Sequence, residues 1–258
     1  MDGRNCYRTK IASHRAGTLL WGELTPMGFR NTLKLPVEQV ELDIHLSKDG
    51  RLVVMHDHNI GRVTDSKGEI AELAWPELSK VTINYSGGQN PLLLEDVCEL
   101  YSQTDVDLRL EIKTSKDWVH YEGIEENAVD VIRSFGMEER TTISSFSLQP
   151  LQNIEKFHFT GNRLWLVGQE ILGFLGMGNV YSLGRQIGIN AFSVHIGQIK
   201  DSIDFFRTMD ASIGAYGAHC HRTITEALAL EVDVFTTDRP DLAAKLREKT
   251  QNRIANST

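Results

Sequence analysis

Two carboxylates and a histidine alternate along one short stretch of the chain, Glu41, Asp43 and His45 within 40–46. Read as a strand, the period of two places these three on one face and Val40, Leu42 and Ile44 on the other. Two acids on one face of an otherwise apolar strand are costly to bury unpaired, and they ask for a cation. Lys48-Asp-Gly50 follows, and then a second run of β-formers at 51–56. Asp-Gly between two such runs is a strong hairpin signal, because both turn positions need positive φ. With Asp49-Gly50 as a two-residue turn, position 45 faces 54 and His56 faces Asp43. Local geometry alone then joins a carboxylate pair to a histidine.

A second alternation, Asp107-Leu-Arg-Leu-Glu-Ile-Lys113, sets Arg109, Glu111 and Lys113 against Leu108, Leu110 and Ile112. Near the start, a short strand over 9–14 ends at His14-Arg15. Carboxylate oxygens are hard ligands that suit Mg²⁺, Ca²⁺ or Mn²⁺ better than zinc. Arg15 and Lys113 beside them imply an anionic ligand, with phosphate the natural candidate.

These residues need a scaffold that gathers distant strand ends. The chain has 258 residues, 41% of them hydrophobic, enough for a large core. Its net charge of −8 argues against a nucleic-acid partner. No apolar run approaches the ~20 residues needed to span a bilayer, and residues 1–10 lack the apolar centre of a secretory signal. Cys6, Cys98 and Cys220 are odd in number and lack CxxC spacing, so a reduced, cytoplasmic setting is expected.

Strand-like segments fall at 9–14, 37–46, 107–113, 141–146, 163–167, 189–195, 212–218 and 232–237, with helical patterns or a turn-rich insertion between them. The segment 52–56 makes a ninth, but after a tight hairpin it must run antiparallel and cannot be a barrel stave. Eight β/α units in this length predict an α/β fold, a (β/α)8 TIM barrel. We expect a single domain over 1–258 with a hairpin-containing insertion at about 46–90. No G-x-G-x-x-G loop follows the first strand, which disfavours a doubly wound dinucleotide sheet. In a barrel the strands' C-terminal ends build the site, so the acids, His14, Arg15 and Lys113 converge there.

His14-Arg-Ala-Gly17, Val40-Glu-Leu-Asp-Ile44, Lys48-Asp-Gly50, Val54-Met-His-Asp57, Arg62-Val-Thr64, Leu110-Glu-Ile-Lys113 and Thr237-Asp-Arg-Pro240 together resemble the glycerophosphodiester phosphodiesterases. The likeness is dense over 10–115 and echoes at the C-terminus. It implies a TIM barrel, one divalent cation, and hydrolysis of a glycerophosphodiester to glycerol 3-phosphate and an alcohol. It further implies that Glu41, Asp43 and Glu111 are metal ligands, that His14 and His56 are the catalytic pair, and that Arg15 and Lys113 hold phosphate. We expect His14 to act as base and His56 as acid, with Asp57 as a carboxylate supporting the acid. Two segments depart from the family pattern. Gly22-Glu-Leu-Thr25 stands where Pro-Glu-Asn-Thr is usual, leaving Glu23 a supporting role, and Tyr216-Gly-Ala-His219 replaces a Trp-Thr-Val-Asn-like segment.

Other residues take plain readings. His45, His195, His219 and His221 are expected to be structural, Asp238 a turn or cap, and the four tryptophans core or rim packing. Two rival functions remain from the sequence. One is a phospholipase D-like enzyme that cleaves lysophospholipids and needs an apolar groove at the mouth. The other is a non-catalytic barrel that holds a metal and an anion.

Overall fold

Eight parallel strands close on themselves in a computed structural model that describes residues 9–255. The barrel strands are β1 (Lys10–Ser13), β2 (Gln39–Leu46), β5 (Asp107–Ile112), β6 (Thr141–Ser145), β7 (Asn162–Val167), β8 (Ala191–His195), β9 (Ser212–Tyr216) and β10 (Val234–Thr237). β1 pairs in parallel with both β2 and β10, which seals the ring. All eight are the segments expected from the sequence. The readings that fall on residues 1–8, Cys6 among them, lie outside the described residues.

The two faces of each stave explain the core. Leu42, Leu110, Val167 and Phe192 belong to one fully apolar cluster that also takes in Val97, Ile132, Phe206 and Ala227 from surrounding helices. Those come from α4 (Leu94–Tyr101), α5 (Ile124–Ser134), α8 (Ile196–Thr208) and α9 (His221–Ala229). The opposite parity turns inward: Glu41, Arg109, Glu111, Ser144, Leu166 and Thr236 line one central cavity. The register fixes the neighbours, with Asp43 beside Glu111 and Glu41 beside Arg109 on adjacent strands.

β3 (Leu52–Val54) is antiparallel to β2 and to the two-residue β4 (Leu92–Leu93), outside the ring. Its register corrects the sequence reading by one residue: Ile44 faces Val54 and His45 faces Val53, so the backbone of Met55, not His56, meets Asp43. The cause is the turn. Ser47 N–H donates to the Arg51 carbonyl and closes a three-residue loop, in which only Gly50 is left-handed at φ +78. Asp49 keeps ordinary backbone angles, so the two-residue type I′ turn never forms. Between β3 and β4 the insertion packs its own small core of Met55, Ile60, Ile70, Leu78 and Val81, with α3 (Trp75–Leu78) its one α-helical turn.

α1 (Thr18–Trp21) precedes α2 (Pro26–Thr32), which Thr25 caps by accepting the Gly28 N–H, so that helix begins at Pro26. After β6 comes α6 (Leu148–Asn153). The glycine-rich stretch forms α7 (Gln169–Gln186), broken at Gly176, and α10 (Pro240–Ala255) ends the described chain. Tyr101, fully buried on α4, donates its hydroxyl to the Phe29 carbonyl of α2 at 2.8 Å. Tyr101→Phe should therefore lower stability by about 1–2 kcal/mol, the cost of orphaning a buried acceptor. Urea denaturation checks this, with catalytic parameters unchanged.

Candidate active site

The first candidate element begins where β1 ends. His14, Arg15 and Ala16 form a single 3₁₀ turn in which Arg15 and Ala16 both adopt positive φ, at 47° and 58°. Such angles cost of order 1–3 kcal/mol per residue and persist only where surroundings impose them. Here the Arg15 N–H donates to Glu41 Oε2 at 2.8 Å, fixing the turn against the acid strand. The His14 ring then lies with Nε2 at 3.9 Å from the same Glu41 oxygen.

His14 Nδ1–H donates to Asp238 Oδ1 at 2.5 Å. This leaves the Nε2 lone pair directed at the cleft. Burial pushes the His14 pKa down, but Glu41 and the Asp238 hydrogen bond outweigh it and the net shift is upward. Asp238, read from sequence as a turn or cap, is thus the carboxylate that orients His14. The signal was present in Thr237-Asp-Arg-Pro240, but a lone Asp before Arg-Pro carries no trace of a partner 224 residues away.

His56 has a parallel arrangement. Its Nδ1–H donates to Asp57 Oδ1 at 2.6 Å, and Asp57 in turn pairs with Arg62. Arg62 is bound on its other side by Glu23 at 2.6 Å, and Glu23 also reaches Arg15 at 3.4 Å. Glu23 and Asp57 therefore belong to one chain of charges linking His56 to Arg15. Burial raises the Asp57 pKa, yet Arg62 and His56 bring it down to about 2. Burial lowers that of His56, with Asp43 opposing it. His45 is structural, as expected: Nε2–H donates to the His56 carbonyl at 3.0 Å and Nδ1 accepts the Tyr121 hydroxyl at 2.8 Å. Desolvation holds its pKa near 4 and keeps the ring neutral.

The three acids sit beneath these histidines. Oxygens of Glu41, Asp43 and Glu111 lie within 4.8 Å of one another, all on buried side chains. Burial and the nearby Asp43 charge push Glu41 upward, while burial raises Asp43 less than Lys113, His56 and Arg15 lower it. Lys113 Nζ stands 3.1 Å from Asp43 and 2.8 Å from Glu111, and Arg15 Nε 3.6 Å from Asp43. Both Asp43 oxygens nevertheless lack a geometrically sound hydrogen bond. An all-oxygen set with unsatisfied buried lone pairs fits a hard divalent cation. His14, His219 and Asp238 also cluster, but their Nδ1 atoms are already engaged by Asp238.

Arg15, Glu41, Glu111, Lys113 and both histidines border one cleft of about 320 Å³. Its far wall holds Phe146 and His195, together with Tyr216 and His219 from the segment that departs from the family pattern. A wider groove of about 1210 Å³ adjoins it, sharing His56, Glu111, Lys113 and Tyr216 and edged by Trp118, Phe146 and Ile171. Of the tryptophans, Trp165 is buried, whereas Trp118 is 81% exposed at this edge.

Such a barrel, with its acids, cationic side chains and paired imidazoles at the strands' C-terminal ends, has the parts of a phosphoester hydrolase. Residues 14–242 match the glycerophosphoryl diester phosphodiesterase family. A glycerophosphodiester phosphodiesterase of Bacillus altitudinis is 30% identical over 93% of this chain and 99% of its own. The solved structure of a glycerophosphoryl diester phosphodiesterase from Agrobacterium tumefaciens superposes with a TM-score of 0.91 at 38% identity, covering 94% of this chain and 98% of that one. An Oleispira antarctica phosphodiesterase, solved with sn-glycerol-3-phosphate, shares the fold at a TM-score of 0.80 and 19% identity, over 93% and 96% of the two chains. The chain belongs to the glycerophosphoryl diester phosphodiesterase family and is a phosphoric diester hydrolase. No helix among the described residues is long and apolar enough to cross a membrane.

Proposed function

We propose that this chain, acting as one barrel domain with its insertion, hydrolyses a glycerophosphodiester to glycerol 3-phosphate and an alcohol. The observation that carries the reading is the meeting in one cleft of three buried carboxylates and two carboxylate-backed imidazoles. Glu41, Asp43 and Glu111 would hold one divalent cation, Mg²⁺ or Ca²⁺, with Mn²⁺ also compatible with all-oxygen ligands. When bound, the ion offsets charge that grows on the phosphoryl oxygens.

The protein's own groups do the rest. Arg15 and Lys113 orient the phosphate and add to that stabilisation. His14 Nε2 takes a proton from the attacking oxygen, and His56 Nε2–H gives one to the departing alkoxide. The division follows from the two backing carboxylates. Asp57 is neutralised by Arg62, so it stabilises a charged His56 weakly and lets that proton go. Among the described residues no Lys or Arg is ion-paired with Asp238, so its full charge supports the imidazolium that forms on His14. The free thiols of Cys98 and Cys220 agree with a reduced cytoplasmic setting.

A second reading rests on the adjoining groove. Trp118, Phe146 and Ile171 give it the apolar edge that an acyl chain needs, which favours a lysophospholipid as an additional substrate. Rates on glycerophosphocholine and lysophosphatidylcholine, followed by the phosphate-containing product, separate the two. Glycerol 3-phosphate released from glycerophosphocholine supports the main reading. Turnover of lysophosphatidylcholine alone would replace it by the second, and turnover of neither would leave a barrel that only binds.

A further inference from the structure

Across an eight-stranded ring, β8 stands opposite β2 and β9 opposite β5. The cleft wall facing the acids is therefore built by His195 at the end of β8 and by Tyr216, Gly217 and His219 at and beyond the end of β9. None of these has a part in the chemistry described above.

The proton positions on both rings are set by backbone groups. The Gly197 N–H, in the first turn of α8, donates to His195 Nδ1 at 3.1 Å. The Asp238 N–H donates to His219 Nδ1 at 3.1 Å, beside Asp238 Oδ2 at 3.2 Å. A ring nitrogen that accepts carries no proton, so in each neutral imidazole the proton sits on Nε2. Burial lowers the His219 pKa, with Asp238 opposing.

Gly217 lets the two rings share one wall. At φ +85 it turns the chain sharply, and a Cβ there would come 2.8 Å from His195 Nε2. Tyr216 stacks edge-on against His195 with centroids 5.4 Å apart, and its hydroxyl is spent on the Val167 carbonyl at 3.0 Å. The wall thus offers two Nε2–H donors to whatever extends from the phosphate. Asp238, beside this wall, already takes the His14 Nδ1–H.

We propose that His195 and His219 form a subsite of two fixed N–H donors for a hydroxyl-bearing alcohol, so that a polyol head group is preferred to a quaternary ammonium one. This rests on the phosphodiesterase reading above. Hydroxyl oxygens accept from both rings, whereas a trimethylammonium group presents no acceptor and leaves two donors stripped of water. The two histidines are specificity-determining groups and not participants in proton transfer.

Asparagine at either position tests this without disturbing the fold. In His195→Asn the amide oxygen remains a good N-cap for the Gly197 N–H. In His219→Asn an acceptor remains for the Asp238 N–H, and both changes withdraw the Nε2–H. Steady-state kinetics on glycerophosphoglycerol and glycerophosphocholine should show the wild type favouring the former. Each variant should lose about five- to tenfold in kcat/KM on the polyol diester, mainly through KM, the worth of one neutral hydrogen bond. Its kcat/KM on glycerophosphocholine should stay within about twofold, because the choline head group offers the lost donor no acceptor. Equal losses on both diesters, or a wild type that favours choline, would overturn the subsite while leaving the phosphodiesterase reading intact. Turnover of neither diester by the wild type would overturn that reading, and the subsite with it.

Discussion

Replacing His14 with alanine is expected to lower kcat by about 10²–10⁴-fold, the usual worth of one general acid–base group. His56→Ala should lose a comparable amount, yet the two variants should part company when the leaving group changes. A p-nitrophenolate departs without help, so a p-nitrophenyl phosphodiester needs no proton from His56. His56→Ala should recover most of its rate on that substrate, while His14→Ala stays impaired because the attacking oxygen still needs a base. Equal recovery by both would show that the roles are not divided as the backing carboxylates suggest. The wild-type rate should be bell-shaped in pH, with apparent pKa values that belong to the coupled pair and not to either ring.

Asp43→Asn should abolish most divalent-ion binding while the barrel remains folded. Asp43 lies 1% exposed between Glu41 and Glu111, with both oxygens free of sound hydrogen bonds. An amide at this position replaces an anionic ligand with a neutral one, which weakens a hard-cation site. It also removes a counter-charge from Lys113 and Arg15, so some stability should be lost through unpaired buried cations. Calorimetric titration with Mg²⁺, Ca²⁺ and Mn²⁺ reads the binding directly, and circular dichroism reports the fold. Affinity unchanged from wild type would remove Asp43 from the ligand set.

The fold was legible because its period-two strands are self-declaring. Leu42, Leu110 and Phe192 had to face helices, so Glu41, Asp43, Arg109 and Glu111 had to face the axis. The family motifs then brought His14, His56, Arg15 and Lys113 to the same mouth. The hairpin register was missed by one residue because Lys48-Asp-Gly50 is compatible with two loop lengths. Only the Ser47–Arg51 pairing decides between them.

Asp238 and His219 were passed over for a different reason. Each acquires its role from a contact between ends of the chain: His14 meets Asp238 only when β1 and β10 close the ring. Before closure, Asp238 is one more acid ahead of a proline-started helix. His195 likewise reads as a structural histidine, and it does cap α8, but its place on the cleft wall with His219 arises only when the ring closes.

The account turns on a cation held by Glu41, Asp43 and Glu111 in the cleft where His14 and His56 meet. The direct measurement is hydrolysis of glycerophosphoglycerol by protein stripped with EDTA and then supplied with a single divalent ion. The stripped enzyme should be inactive, Mg²⁺ or Ca²⁺ should restore the wild-type rate, and neither should restore Asp43→Asn. A stripped enzyme that retains its full rate, or an Asp43→Asn variant that recovers like wild type, would contradict the account.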